Sequence, residues 1–428
     1  MTRHPGRAAQ GLTRDHLRRV VEIAHANRLS FVELVGLAEL DPRKAFRRAA
    51  IRGSALKGQD LAGFDFTGAS FKGCDLTGAV FLRAKGVTAA MLAEAITDDS
   101  TIPPPGLFVR VRRPSWSTAA GRDDFGVWAE FTLTGKDGAT ATQRMRWCPL
   151  GQFWMGSPKR EPGRWSGEGS RHKVTLQDGF WLADTPCTQA LWAAAMGDNP
   201  SAFKSPMRPV ETISFADVET FLKTVNAAAP GLDLVLPSEA QWEYACRAGT
   251  KTATYAGAID ILGRNNAPVL DAIAWYGGNS GMDFDLENGA NSSDWPEKQY
   301  DHKAAGTHPV MGKDPNPWGL FDTLGNVWEW CADAWHGSYE GASADGAARP
   351  GGEAAQRVVR GGSWGNGARG ARAACRNGAV PSSCDASLGF RLARGHEQTA
   401  SGSGAPGRPS LRGGGGEGAE RRPPAGAR

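Results

Sequence analysis

A chain of 428 residues, 40% of them apolar, has material for two or three domains and at least one sizeable core. Its net charge is +4, and the segment 395–428 alone carries five Arg against three Glu, so the remainder is close to neutral and indicates no nucleic-acid partner. No apolar run approaches the roughly twenty residues of a membrane span. The first residues, MTRHPGRAAQGLTRDHLRRV, lack the apolar stretch that heads an exported chain. Seven scattered Cys without C-x-x-C spacing are then expected to be reduced thiols in a cytoplasm.

Segment 1–52 is expected to be helical. Leu17, Val20, Val21, Ile23 and Ala24 recur at helical spacing behind a Thr13 cap. A second helix is expected over 31–40, and Asp41-Pro42 suits the cap and first turn of a third. Segment 53–102 changes period. Leu56, Leu61, Phe66, Phe71, Leu76 and Phe81 are spaced by fives, and Gly58, Gly63, Gly68, Gly73 and Gly78 keep the same step. Neither a helix nor a strand repeats every five residues; a four-sided solenoid does, with one apolar side chain per unit pointing inward. Residues 87–96 read as a helix over its open end, and Pro103-Pro104-Pro105 marks a boundary.

Segment 107–394 is the largest unit. Alternation over 127–133 and 144–155 predicts antiparallel strands. Helices are predicted over 215–228, capped by Ser214, and from Glu239, where Ser238 and Gln241 form a capping-box pattern. Between 250 and 360 the chain is rich in Gly, Asn, Asp and Pro, too long for a plain loop, and needs ions, Trp packing or both to hold it. Within it Asp322, Asn326 and Glu329 place hard oxygens at i, i+4 and i+7, with Gly325 freeing the backbone; such a set suits Ca²⁺. Two firm frames follow, Arg360-Gly361-Gly362-Ser363-Trp364 and Gly389-Phe390-Arg391-Leu392. The stretch 365–388 between them has almost no large apolar residue, so it is expected to be a surface rather than core, the usual setting of a binding or catalytic site. Segment 395–428, mainly Gly, Pro, Ser, Arg and Ala, has the composition of a disordered basic tail.

The five-residue run resembles the pentapeptide-repeat family, which implies a short right-handed quadrilateral β-helix. Four later segments resemble the formylglycine-generating, sulfatase-modifying family: Gly151-Gln152-Phe153-Trp154-Met155-Gly156-Ser157; Leu236-Pro237-Ser238-Glu239-Ala240-Gln241-Trp242-Glu243; Asn316-Pro317-Trp318-Gly319-Leu320-Phe321-Asp322 with Gly325-Asn326-Val327-Trp328-Glu329-Trp330; and the two frames. That resemblance implies an α+β fold, an irregular C-type-lectin-like domain. It also implies Ca²⁺ held by Asp322 and Glu329 with carbonyls nearby, here those of Gly325 and Val327.

Active members of that family are oxidases that bind Cu(I) through two Cys in a Cys-x4-Cys spacing just after the first frame. The corresponding stretch here, 364–371, contains no Cys; an oxidase of this kind would have only Cys375 and Cys384 to use. A sister group uses iron on a histidine triad, which His16, His25, His302 and His308 do not supply in one place. A third set of relatives, the variable proteins of diversity-generating retroelements, displays residues between two such frames, changed from Asn AAC codons. Every residue type in 365–388 is reachable from AAC by altering its first two bases.

Three functions stay open. The chain is a non-catalytic module binding a protein or other macromolecular ligand through 365–388, with Asn366, Arg369, Arg372, Asn377, Ser383 and Ser387 as contacts. It is a metal-dependent oxidase acting on a protein cysteine or small thiol. Or it is a scaffold in which the solenoid does the recognition. Arg369 and Arg372 are either contacts or frame residues; Arg360 and Arg391 are read as structural.

Overall fold

The computed structural model describes residues 31–38, 40–51, 56–97, 101–104, 113–351 and 356–395. The helix expected around Leu17 to Ala24, His16, His25 and nearly all of the basic tail lie outside these residues. The first element is the short helix α1 (Phe31–Leu37). The third helix expected after Pro42 does not form; 42–48 is a run of turns. The reason is tertiary. Arg48 N–H bonds to Thr67 O at 2.9 Å, and Ile51 N–H to Ser70 O at 3.0 Å, which draws this segment into the solenoid.

Parallel bridges join Ala50 to Ser70, Asp60 to Val80 and Asp65 to Lys85, each pair four five-residue units apart. The apolar ladder begins two units before Leu56 and one before the first glycine in step, Gly53, because Phe46 and Ile51 are buried with Leu56, Leu61, Phe66, Phe71, Leu76 and Phe81. Arg48 hides that start: it stands in the glycine position of its unit and adopts the same left-handed backbone (φ 58°, against 66° at Gly58). Each buried Leu or Phe contributes about 2 kcal/mol. Helix α2 (Ala89–Ala93), capped by Thr88, follows the last unit.

The larger domain opens with an antiparallel meander of β1 (Ala119–Asp123), β2 (Gly126–Thr134) and β3 (Thr140–Cys148). Hairpin β4 (Gly151–Met155) and β5 (His172–Leu176) stands apart, and β6 (Phe180–Ala183) returns to pair with β3. Helix α3 (Gln189–Met196) is capped by Thr188. Helix α4 (Phe215–Ala228) has the bounds the sequence predicts, with Ser214 and Asp217 forming a capping box; α5 (Glu239–Arg247) has the Ser238–Gln241 box. The short strands β7 (Ala290–Asn291) and β8 (Ala304–Ala305) pair with each other. Strands β9 (Trp328–Ala334), β10 (Arg357–Arg360), β11 (Arg376–Ala379) and β12 (Leu388–Phe390) make a sheet in the order β11-β10-β9-β12. Strand β13 (Ala393–Gly395) pairs with β6 and completes the order β1-β2-β3-β6-β13.

The main core lies between the five-stranded sheet, α3, α4 and the inner face of β9 and β12, where Trp330 and Phe390 are fully buried. The long 250–360 stretch is held by buried amide side chains and aromatic stacking. Asn316 donates to the Ala245 and Cys246 carbonyls at 2.7 and 3.2 Å, and Trp275 stacks on His308 at 3.7 Å. Among the described residues no helix is long and apolar enough to cross a membrane.

Candidate functional site

Both sequence frames flank one strand. Arg360 of β10 lies opposite Glu329 of β9 in antiparallel register, and Gly389 of β12 lies opposite the same Glu329 in parallel register. Leaving β10, the chain therefore makes a long excursion over 361–387 before it returns beside β9. What happens there is set by four arginines that point inward.

Arg391 grips Glu329 with two hydrogen bonds of 2.7 Å, and the Trp242 indole N–H donates to the same carboxylate at 2.6 Å. Arg360, fully buried, pairs with Glu243 and donates to the carbonyls of Ala373, Ala374 and Cys375 at 3.1, 3.1 and 2.6 Å. Arg372 is fully buried against Glu161 and Glu168. Arg376 takes Glu239 with two bonds of 2.6 and 2.7 Å. Planar guanidinium–carboxylate pairs of this kind fix geometry as well as charge, and removing one member of a buried pair typically costs about 3–5 kcal/mol.

This corrects two expectations. Arg372 is not a surface contact; it is an internal anchor. Nor is 365–388 all surface. Ala368, Ala371 and Ala373 are part of a buried cluster, and Ala374 and Cys375 are buried beside them. Small side chains sit inside because Arg360 requires the backbone carbonyls of 373–375 close to its guanidinium, and a larger residue would hold them off.

Two exposed patches remain. In 365–370, Arg369 lies over the Trp165 ring at 3.6 Å and donates to the Gly163 and Arg164 carbonyls at 2.7 and 2.9 Å. Half-buried Asn366 accepts a bond from Ser363 Oγ at 2.7 Å. In 377–387, Asn377, Val380, Ser382, Cys384 and Asp385 are exposed, and Ser383 and Ser387 are half-buried. Ser387 Oγ donates to Asp385 Oδ1 at 2.6 Å, and the loop backbone is tied down by Thr212 N–H to Asp385 O and Phe215 N–H to Pro381 O at 3.0 and 2.9 Å. Sequence reasoning missed Trp165 and Val380, which are 48% and 45% exposed. The signal for Trp165 was available: a Trp inside the polar, turn-rich run Pro162-Gly163-Arg164-Trp165-Ser166-Gly167 has nothing beside it to pack into.

Cys375 is buried and burial pushes its thiol up to about 11, whereas Cys384 is exposed; both are free. His302 and His308 are structural partners. His302 Nδ1 shares a 2.7 Å bond with Ser292 Oγ, and burial pushes His308, stacked on Trp275, down to about 4.

The expected calcium set is divided by the structure. Glu329 is neutralised by Arg391 and does not stand free as a second carboxylate ligand. Asp322 is different. It is buried, accepts the Met311 N–H at 2.9 Å and Asn326 Nδ2 at 3.3 Å, and burial pushes its carboxyl up to about 6. Asp322, Gly325 and Asn326 all have left-handed backbone (φ 52°, 79° and 60°), so the chain turns tightly through this segment. Among the described residues no group of three or more His, Cys, Asp or Glu side chains stands together to hold a metal ion, so a cation at Asp322 would depend on backbone carbonyls, those of Gly325 and Val327 being the expected ones.

The sulfatase-modifying factor enzyme 1-like domain matches residues 130–396. The chain belongs to that family. Pentapeptide repeats match in eight copies over 46–83, in keeping with the eight buried residues from Phe46 to Phe81. Chaperone protein LppX of Paenibacillus barcinonensis is 30% identical over 229 residues, 46% of this chain and 72% of that protein. The formylglycine-generating enzyme of Streptomyces coelicolor is 31% identical over 209 residues, 48% of this chain and 58% of that enzyme, so the chain spans little more than half of its length. Treponema denticola variable protein 1 is similar in structure at 24% identity and a TM-score of 0.45, over 62% of this chain and 99% of that one.

Proposed function

We propose that this chain is a non-catalytic protein-binding module that presents 365–370 and 377–387 to its partner from a sulfatase-modifying-factor scaffold. The observation that carries the reading is the division of labour within 361–387. Arg360, Arg372 and Arg376 pin the backbone from inside, while Asn366, Arg369, Asn377, Ser383 and Ser387 stay at or near the surface. Exposed side chains on a backbone fixed by buried charge are free to vary at little cost to folding. The residue types of 365–388, all within reach of AAC codons, support diversification of that surface by a retroelement. A relative that bears the name chaperone protein supports a protein-binding reading.

The oxidase reading has Cys375 and Cys384 as its pair. Two thiolates together suit Cu(I), but one of these sulfurs is buried and held protonated at neutral pH while the other faces solvent. Calcium enters the proposal as a brace held by Asp322 and the carbonyls of Gly325 and Val327, neutralising a buried carboxylate. The parallel bridges four units apart support a four-sided coil for the solenoid, and the match to pentapeptide repeats supports its right-handed sense. Seven free thiols among the described residues support a reducing, cytoplasmic setting.

Photocrosslinking tests the binding surface. A photoreactive residue is placed at Arg369, Asn377 or Ser383, and at exposed Lys136 as a control. Discrete adducts in cells from the first three positions and none from 136 are expected; adducts from 136 alone would reject the surface.

A further inference from the structure

A cleft of about 490 Å³ runs along the seam where the solenoid meets the larger domain. The seam is tight at its base: a Cβ on Gly58 would run into the Leu150 side chain. It is also tied at its rim, where Lys173 of β5 pairs with Glu33 of α1 at 2.7 Å. Such a volume matches small-molecule sites, which occur preferentially where two units meet.

The lining is unbalanced in charge. Arg247 is committed to Glu243 and Lys173 to Glu33. That leaves Arg83, Arg171 and Lys251 facing a single acid, Asp60. Asp60 occupies the same repeat position as Asp65, and both accept a turn N–H, from Ala62 and Thr67, at 3.0 and 2.9 Å. Asp65, bonded also by the Thr67 hydroxyl, is held down. Asp60 keeps an edge to solvent, yet the facing wall desolvates it and pushes it up.

Its walls are aromatic as well. Phe153, Trp154 and Trp318 line it, and Trp154 is 48% exposed with the Arg171 guanidinium 5.4 Å over its ring. An exposed Trp with a cation over one face offers a ring to stack on and a charge beside it.

We propose that this seam is a second binding site, for a small organic anion carrying a flat ring, with Arg83, Arg171 and Lys251 taking the anion and Trp154 and Phe153 taking the ring. It is independent of the surface at 365–388. The chain's own first thirty residues are a poor occupant, since they carry six Arg against one Asp and one Glu, the wrong sign for a cationic cleft.

The probe is the aromatic sulfonate 8-anilinonaphthalene-1-sulfonate, titrated into the folded full-length chain, with its uncharged analogue N-phenyl-1-naphthylamine as control. One saturable site is expected, at least tenfold tighter for the anion and weakened by salt. Arg83→Ala/Lys251→Ala, two exposed positions, and separately Trp154→Ala should each weaken it about tenfold while leaving the thermal midpoint in place. Equal affinity for the uncharged analogue, or an unchanged dissociation constant in the Arg83/Lys251 variant, would overturn the proposal. Loss of binding in an Arg369→Ala variant with the seam intact would overturn its location.

Discussion

Replacing Arg391 by Met is expected to lower stability by about 3–5 kcal/mol, which for a domain of this size lowers the melting temperature by roughly 10 °C. The guanidinium is fully buried and makes four hydrogen bonds: two to Glu329, one to the Ala183 carbonyl at 3.0 Å and one to the Phe321 carbonyl at 2.8 Å. Taking it away strands the Glu329 carboxylate in a site with only the Trp242 N–H left to solvate it. Glu329→Leu strands the arginine in the same way. The double variant Glu329→Leu/Arg391→Met leaves no lone charge and is expected to be more stable than either single variant, although the Trp242 N–H then lacks its acceptor. Denaturant melts of the four proteins measure the coupling directly. Single effects that simply add would mean that Glu329 has another partner, a bound cation first among them.

Asp184→Asn is expected to stabilise the protein at pH 8 and to cost it about 1–3 kcal/mol at pH 4, where only the unpartnered amide counts. One oxygen of Asp184 accepts from Gln143 Nε2 at 3.1 Å; the other is buried without a partner. The arginine whose charge acts on it most, Arg146, is engaged with Asp123 at 2.7 Å. Burial pushes the Asp184 carboxyl up to about 7, against about 3.9 in an unfolded chain. For an acid raised in this way the folded state holds its proton longer than the unfolded state. Its contribution is intact below the unfolded value, is lost as pH rises toward about 7, and stays lost above it. A shift of this size is worth up to about 4 kcal/mol, less the cost of the orphaned amide in Asn, so a gain of about 1–3 kcal/mol at pH 8 is expected. Urea melts of wild type and variant at pH 4 and pH 8 check it. Asp333, pushed up to about 7 by burial and then by its neighbour Glu239, keeps a residual slope of the same sign in the variant.

The parts legible in the sequence are those where one residue type answers a local demand. A side chain every five residues announces the solenoid because each unit buries one. Ser214 and Ser238 announce helix starts because the orphan N–H groups of a first turn lie within three residues of the cap. The frames at 360–364 and 389–392 were legible as structural because they recur as motifs, but their partners were not. Arg376 meets Glu239 across 137 positions and Arg372 meets Glu168 across 204, and nothing local says which arginine turns inward. That is why Arg372 read as a candidate contact. The buried alanines of 371–374 were hidden for a related reason: small residues look like surface until a guanidinium is found that needs their carbonyls. The turns at 42–48 read as a helix from the Asp41-Pro42 start signal, and the bond from Arg48 to Thr67 overrode it. Glu329 fitted a calcium pattern by spacing, while Arg391, 62 positions away, takes its charge.

Metal analysis of the purified chain after Cu(I) loading, beside a Cys375→Ala/Cys384→Ala variant, tests the central claim that this scaffold binds rather than oxidises. The account predicts the same negligible copper in both proteins, with calcium retained through Asp322. One copper per chain in the wild type, lost in the variant, would contradict it and make Cys375 and Cys384 a metal pair despite the burial of one and the exposure of the other.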